Sequence, residues 1–137
     1  MYLNNLQSTV FSLILILFIG FAACEKTSRV ELLEKDYEGV FYLQHSSYNY
    51  TPSPFVLKIK EGKYTFIPGQ NSPMRGGSGS FTVEGNQAIF RDENYWTADF
   101  DWNFIFNGTF EISSDTKYLV LTKKVNENSS YIYKLEK

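Results

Sequence analysis

The chain has little cysteine, little histidine and no basic cluster, and these shortages exclude several classes of protein. Its 137 residues include one cysteine, Cys24, and one histidine, His45. A lone cysteine argues against a small secreted domain held together by several disulfides. The longest basic run is the pair Lys123 and Lys124, and the formal net charge is -2, so the composition does not favour binding to nucleic acid.

Charge is also missing from the start of the chain, where residues 1–23 contain no Lys, Arg, Asp or Glu. Residues 10–23 are apolar except for Ser12 and Gly20, and they end in two alanines directly before Cys24. A membrane-spanning helix needs about 20 apolar residues, so this run is short for a span and fits the apolar region of an export signal. Residues 21–24 resemble the lipobox of bacterial lipoproteins.

The lipobox resemblance implies that the chain is cleaved before Cys24 and that this cysteine carries lipid. The mature protein is then expected in the bacterial cell envelope, anchored to a membrane (foremost the outer membrane) and facing the periplasm or the cell surface. Acyl chains such as palmitate contribute about 0.8 kcal/mol per buried methylene, so several chains hold a protein stably. A lipidated cysteine has no thiol left for catalysis. Two alternatives remain: a secretory signal with an incidental cysteine, and a retained membrane anchor.

Three segments follow from this pattern: a signal peptide over 1–23, a lipidated tether over 24–36, and one domain over 37–137. The tether contains Ser28 and, three positions later, Glu31, which match a capping box. This match predicts a short helix in the tether, placed to plug one end of the domain.

Beyond residue 36 the helical period gives way to a two-residue alternation, which is typical of strands. The alternation and the turn residues between its blocks predict eight strands in meander order, with no room for crossover helices. The sixth strand carries Phe104 and Phe106 before a bend at Gly108. The predicted strands cover 39–44, 55–59, 63–67, 80–84, 87–90, 104–112, 118–122 and 131–135. Such a chain removes its exposed edges by closing into a barrel.

The strand count, the short leading helix and the opening Gly39-Val40-Phe41 together resemble the lipocalin-like superfamily, whose motif at the first strand is Gly-x-Trp. The resemblance implies an all-β fold, an eight-stranded antiparallel up-and-down barrel with a short N-terminal helix. It also implies binding of a small hydrophobic ligand. An eight-stranded β-sandwich is the alternative fold.

The interior of an eight-stranded barrel is either filled by side chains or holds one small ligand. Aromatic residues at inward positions are the candidates for lining such a site. They are Phe66, Phe81, Phe90, Phe104, Phe106, Phe110, Tyr131 and Tyr133. Because bulky rings in a short chain usually pack together, a filled core is favoured over an open one.

The densest polar and aromatic stretch lies between the fifth and sixth strands and contains Trp96, Asp99, Asp101 and Trp102. Its indoles and carboxylates are the groups that bind sugars, and clustered oxygens also suit calcium, although the spacing is not that of an EF-hand. Paired carboxylates serve glycoside hydrolysis, but nothing else marks a catalytic cleft. A structural connection that covers one barrel end is favoured. The sequence therefore predicts no catalytic residue, no metal site and no cofactor, and His45 is expected at a strand end.

These features predict a monomeric, lipid-anchored envelope protein without enzyme activity. It is expected to bind a small hydrophobic ligand at the mouth of the barrel, or an envelope partner through residues 96–102. Two alternatives stay open: a structural or interaction lipoprotein with a filled barrel, and a glycan-binding module that uses residues 96–102.

Overall fold

The structure, a computed structural model, describes residues 31–47, 51–97, 99 and 101–137. The predicted signal peptide, Cys24 and the tether as far as residue 30 lie outside the described residues. The described residues form eight antiparallel strands. These are β1 Asp36–His45, β2 Ser53–Lys60, β3 Lys63–Pro68, β4 Gly77–Glu84, β5 Gln87–Asp92, β6 Gly108–Ser114, β7 Tyr118–Asn126 and β8 Ser129–Glu136. In this part of the chain, no helix is long and apolar enough to cross a membrane.

The sheet closes on itself, because each strand pairs with its sequence neighbour and β8 pairs with β1. The closing register runs from Gly39 opposite Leu135 to His45 opposite Ser129. Closure gives every strand two partners and leaves no exposed edge. The predicted up-and-down barrel is confirmed, and the alternative sandwich is not what the chain forms.

The two ends of the barrel differ in the length of their connections. At one end, here called the turn end, β2–β3, β4–β5 and β6–β7 are joined by the short turns 61–62, 85–86 and 115–117. At the other end, here called the mouth, three of the four connections are longer, namely 46–52, 69–76 and 93–107, and the fourth is the short turn 127–128. Since long connections are where binding residues usually lie, the mouth is the first place to look for a site.

Inward and outward side chains alternate along the strands, as the two-residue period requires. In β2, Phe55, Leu57 and Ile59 are buried while the residues between them are more exposed. Gly39 in β1 faces the same interior, and a Cβ atom at that position would lie 2.7 Å from Cζ of Phe55. The same Cβ atom would lie still closer to the Lys134 carbonyl oxygen, so the backbone of β8 and the ring of Phe55 together occupy the space that a side chain at Gly39 would need.

The described part of the tether covers the turn end of the barrel. Leu32 is buried in the core cluster. The hydroxyl of Tyr37 accepts a hydrogen bond from the Leu33 amide at 2.8 Å and donates one to the Leu33 carbonyl at 3.1 Å. The sequence prediction places Leu32 and Leu33 on the short helix, and it is wrong there, because residues 31–35 are not helical. The earlier part of that predicted helix lies outside the described residues. Tertiary contacts of Leu32 and Tyr37 hold this segment in place of local helical bonds.

The start of the sixth strand is a correction to the sequence prediction. The strand was expected over 104–112, but β6 begins at Gly108, and Trp102–Phe104 form one turn of 3-10 helix. The amide of Phe106 donates to the Gly76 carbonyl at 2.9 Å, so the chain before Gly108 pairs with the 69–76 connection. Gly108 has a φ of 105°, which confirms the bend predicted there and explains the change of partner.

Candidate ligand-binding site

The middle of the barrel is filled by aromatic rings. Phe66, Phe90, Phe106, Phe110 and Tyr133 are each no more than 2% exposed. The Phe66 and Phe106 rings stack with centroids 4.5 Å apart and planes 7° from parallel. Tyr133 meets Phe106 edge-on at 5.0 Å, and Phe110 stacks on Phe106 at 4.8 Å. These candidate ligand-lining residues contact one another, so they form a packed floor.

Two tyrosine hydroxyls lie inside this core, and each has a partner. Tyr64 donates to the Phe106 carbonyl at 2.7 Å, and Tyr133 donates to Sδ of Met74 at 3.6 Å. Burial raises the pKa of both phenols, and the Asp92 and Glu93 carboxylates raise that of Tyr64 further. Met74 belongs to the 69–76 connection and is buried, so this connection inserts a side chain that seals the core from the mouth.

A cavity of about 560 Å³ lies at the mouth, outside the sealed core. It is here called the mouth cavity. Its described lining consists of Phe41, Leu43, Thr51, Asn71, Ser72, Pro73 and Phe104. Phe104 stacks on Tyr131 at 6.0 Å with planes 16° apart, and Tyr131 meets Phe41 edge-on at 5.5 Å. Phe104 thus lines the cavity and Tyr131 supports the aromatic wall.

The polar part of the lining comes from the 46–52 and 69–76 connections. The Ser53 hydroxyl donates to Oγ of Ser72 at 3.3 Å, and Ser72 also accepts from the Met74 amide at 3.2 Å. These bonds hold the 69–76 connection against the start of β2. Asn71 has a φ of 60° and is exposed, which leaves its amide group beside the cavity and in reach of solvent.

Phe81 lies away from the mouth cavity. Its ring stacks on Phe90 at 5.7 Å, and its amide donates to the Gly62 carbonyl at the turn end of the barrel. The structure therefore brings Phe104 and Tyr131 to the cavity, places Phe66, Phe90, Phe106 and Tyr133 in the floor, and leaves Phe81 elsewhere.

Asp92 organises the start of the 93–107 connection. Its Oδ1 accepts from the Ser78 amide at 2.9 Å and from Nδ2 of Asn94 at 2.7 Å. Its Oδ2 accepts from the indole N–H of Trp96, which fixes that ring in a half-buried position. The Trp96 ring therefore serves to hold the connection against the barrel.

The second half of this connection contains Asp99, Asp101 and Trp102. Asp101 caps the 3-10 turn, since its Oδ1 accepts from the Asn103 amide at 2.9 Å. Trp102 is 56% exposed, and Asp99 is exposed. Asp101 thus has a structural role in positioning the turn that carries Phe104 into the cavity wall.

Lys123 is an inward-facing cation that sequence reasoning did not single out. Its Nζ donates to the Asn107 carbonyl at 2.7 Å and lies 5.9 Å from the Phe110 ring centroid. Burial lowers the pKa of this amine. Lys123 thus joins β7 to the end of the 93–107 connection. In β7 every second side chain faces inward, and Lys123 follows the buried Leu119 and Leu121 in this alternation, so the sequence pattern could have indicated its direction.

The remaining lining residues, Leu43, Thr51 and Asn71 to Pro73, were also missed. No motif marks them, and the useful signal is topological: in a meander, the connections after β1, β3 and β5 must meet at one end. Another depression, of about 350 Å³, lies on the outer wall beside Val40, Val56 and Ile67. It is smaller than the mouth cavity, and only Gly69 of its lining belongs to a long connection.

No group of three His, Cys, Asp or Glu side chains suited to a metal ion occurs among the described residues. His45 is at the end of β1, where its Nδ1 accepts from the Ser47 amide at 3.1 Å. In comparisons with known proteins, no family model, no curated protein and no solved structure matches this chain.

Proposed function

We propose that this chain is a monomeric, lipid-anchored protein of the bacterial cell envelope that binds a small hydrophobic ligand in the mouth cavity and catalyses no reaction. The observation that carries the proposal is the cavity itself, about 560 Å³ in volume and walled by Phe41, Leu43 and Phe104. Ligand sites commonly have volumes of about 300–1,000 Å³ and mostly apolar linings.

The driving force would be burial of apolar ligand surface against this wall, at about 25 cal/mol per Å² before the cost of immobilising the ligand. The filled core limits how deep the ligand can go. Because Met74 and the stacked rings close the barrel below the cavity, the ligand is held at the mouth. This favours a compact ligand of a few rings over a long extended chain.

The position of the tether supports the anchoring part of the proposal. The chain enters the barrel at the turn end, where Leu32 is buried. Residues 24–30 would span at most about 25 Å when extended, at roughly 3.5 Å per residue. A lipid on Cys24 would therefore keep the turn end nearest to the membrane and leave the mouth facing away from it.

The test is titration with a neutral fluorescent probe, phenylnaphthylamine, followed by a variant that fills the cavity. The protein should carry Cys24→Ser, so that no attached lipid competes. Thr51 is exposed and lines the cavity, so Thr51→Phe should block it without disturbing the core. We expect saturable binding of one probe, weakened at least about tenfold by Thr51→Phe.

The matched control is Thr116→Phe, the same change in an exposed turn at the opposite end of the barrel. This variant should bind the probe as the parent does. An absence of saturable binding, or equal binding by the two variants, would contradict the proposed site.

A second function is favoured by a different observation, the exposed aromatic residues of the 93–107 connection. Tyr95 is fully exposed and Trp102 is 56% exposed. Aromatic residues of this kind are enriched in protein interfaces. An interaction protein with a filled barrel, or a glycan-binding module, would use them. Sedimentation with insoluble cell-wall polysaccharide tests the glycan version, since Tyr95→Ala and Trp102→Ala should abolish binding while Thr51→Phe leaves it intact.

A further inference from the structure

We infer that the ligand of the mouth cavity is electrically neutral, with hydroxyl or amide groups as its polar part. This inference rests on the proposed function and narrows it to a chemical class. Its basis is the lining, in which every described residue is uncharged. The sequence shows the same pattern, because residues 46–52 and 69–74 contain no Lys, Arg, Asp or Glu.

The cations nearest to the mouth do not form part of the lining. The amine of Lys123 is bonded to the Asn107 carbonyl at 2.7 Å, and Lys123 is not among the residues that line the cavity. Arg75 is exposed, and its backbone amide donates to the Phe104 carbonyl at 3.0 Å. A carboxylate in the cavity would therefore lose water without gaining a cation from the described lining, which is strongly unfavourable.

The rim adds a second argument against an anion. The 93–107 connection carries the exposed carboxylates Asp99 and Asp101, and Asp101 caps the turn that places Phe104 in the wall. Glu93 does not add to this charge, because its carboxylate is paired with Lys63 at 3.0 Å. At physiological ionic strength charges act over about 8 Å. An anionic ligand approaching this side of the mouth meets like charge, whereas a neutral ligand does not.

The polar groups in the lining suit a neutral partner. Thr51 and Ser72 offer hydroxyls and Asn71 offers an amide, each able to donate and accept hydrogen bonds. The same lining contains the apolar side chains of Phe41, Leu43 and Phe104. The arrangement fits a compact ring system that carries a hydroxyl or carboxamide at one edge.

The experiment compares naphthalene compounds of matched size in calorimetric titrations of the Cys24→Ser protein at about pH 7, where a carboxylic acid is ionised and an alkylamine is protonated. The compounds are naphthylmethanol, naphthamide, naphthoate and naphthylmethylamine. We expect the alcohol and the amide to bind at least about tenfold more tightly than either charged compound.

The outcomes separate this inference from the proposed function. Equal or tighter binding of naphthoate or of the amine overturns the neutral class and leaves the cavity as a ligand site. If no compound binds, or if the alcohol binds undiminished after Thr51→Phe, the proposed site is overturned as well. Loss of naphthoate binding in Arg75→Gln would show that Arg75 supplies the cation that the inference denies.

A charge placed in the lining gives an independent test. Thr51→Lys should strengthen naphthoate binding at least about tenfold and leave alcohol binding within about threefold of the parent. Thr116→Lys is the control and should change neither affinity, because Thr116 lies at the turn end. An unchanged affinity for naphthoate in Thr51→Lys would overturn the argument from missing countercharge.

Discussion

The hydroxyl of Tyr64 in β3 donates a 2.7 Å hydrogen bond to the carbonyl oxygen of Phe106, just before β6. This bond crosses the interior and connects β3 to the 93–107 connection, which carries Phe104. Gly77 makes the approach possible, because a Cβ atom there would lie 2.9 Å from the same carbonyl oxygen. The position of the mouth wall thus depends on a polar contact inside an otherwise apolar core.

Tyr64→Phe should destabilise the protein by about 1–3 kcal/mol, since it leaves the buried Phe106 carbonyl without this donor. Urea unfolding followed by circular dichroism measures the change. Tyr95→Phe removes the same atom from a fully exposed side chain and should alter the free energy of unfolding by less than about 0.5 kcal/mol. A similar small effect at both positions would mean that the Tyr64 bond contributes nothing to stability.

Stability should fall in alkaline solution. Burial raises the pKa of Tyr64 and Tyr133 above the ordinary value for a phenol, which is about 10. Below pH 10 both phenols are neutral in the folded and unfolded chains, so their contribution is complete. Above about pH 10 the unfolded chain ionises first, and the free energy of unfolding decreases as the pH rises toward the higher folded pKa.

Urea unfolding at several values between about pH 8 and pH 11 measures this slope. Tyr64→Phe should make the decrease shallower, because it removes one of the three described phenols whose pKa burial raises, the others being Tyr37 and Tyr133. A free energy of unfolding that stays constant across this range would contradict the burial of both hydroxyls.

Much of the barrel could be predicted from the sequence because its determinants are local. Alternation placed the inward residues of β2 correctly, and the turn residues Gly62 and Gly85, with φ values of 70° and 62°, marked two hairpins. The predicted start of β6 was wrong, and alternation alone could not have shown this. Phe104 and Phe106 follow the two-residue alternation of a strand. The backbone at Phe106, however, is hydrogen-bonded to Gly76 in another connection, and this contact depends on the whole fold.

The mouth cavity could not be predicted residue by residue. Its wall combines Leu43, Thr51, Ser72 and Phe104, which are far apart in sequence and meet only through the register of the closed sheet. Aromatic residues predicted as a ligand-lining set pack as a floor because the rings of Phe66 and Phe106 are large enough to fill the barrel's cross-section. The number of aromatic residues in a sequence does not show whether they line a ligand cavity or fill the interior of the barrel.

Gly39→Ala should destabilise the barrel by about 1–3 kcal/mol, as overpacking of a core does. The added methyl group would lie closest to the backbone carbonyl oxygen of Lys134 in β8 and 2.7 Å from Cζ of Phe55, so the strands as well as the ring must move. Thermal or urea unfolding measures the loss. Adding Phe55→Leu to Gly39→Ala relieves the ring contact alone, so the double variant should lose somewhat less than the sum of the two single losses, while the contact with the Lys134 carbonyl remains. An additive loss in the double variant would show that the ring of Phe55 is not what requires glycine.

Cys24→Ser should move the protein from the membrane fraction to the soluble fraction of bacterial cells. The reason is that lipid on Cys24 is the proposed anchor, and several acyl chains at about 0.8 kcal/mol per methylene account for stable attachment. Ser28→Ala, a change of similar size four positions later, is the control and should leave the protein in the membrane fraction.

Intact mass measurement supplies a second readout, since cleavage removes residues 1–23 and lipid adds to the mass of Cys24. A parent protein that keeps its first 23 residues and carries no added lipid mass would identify that segment as a retained anchor. The barrel would then reach the membrane through the chain itself, with the turn end still the nearer, because Leu32 connects there.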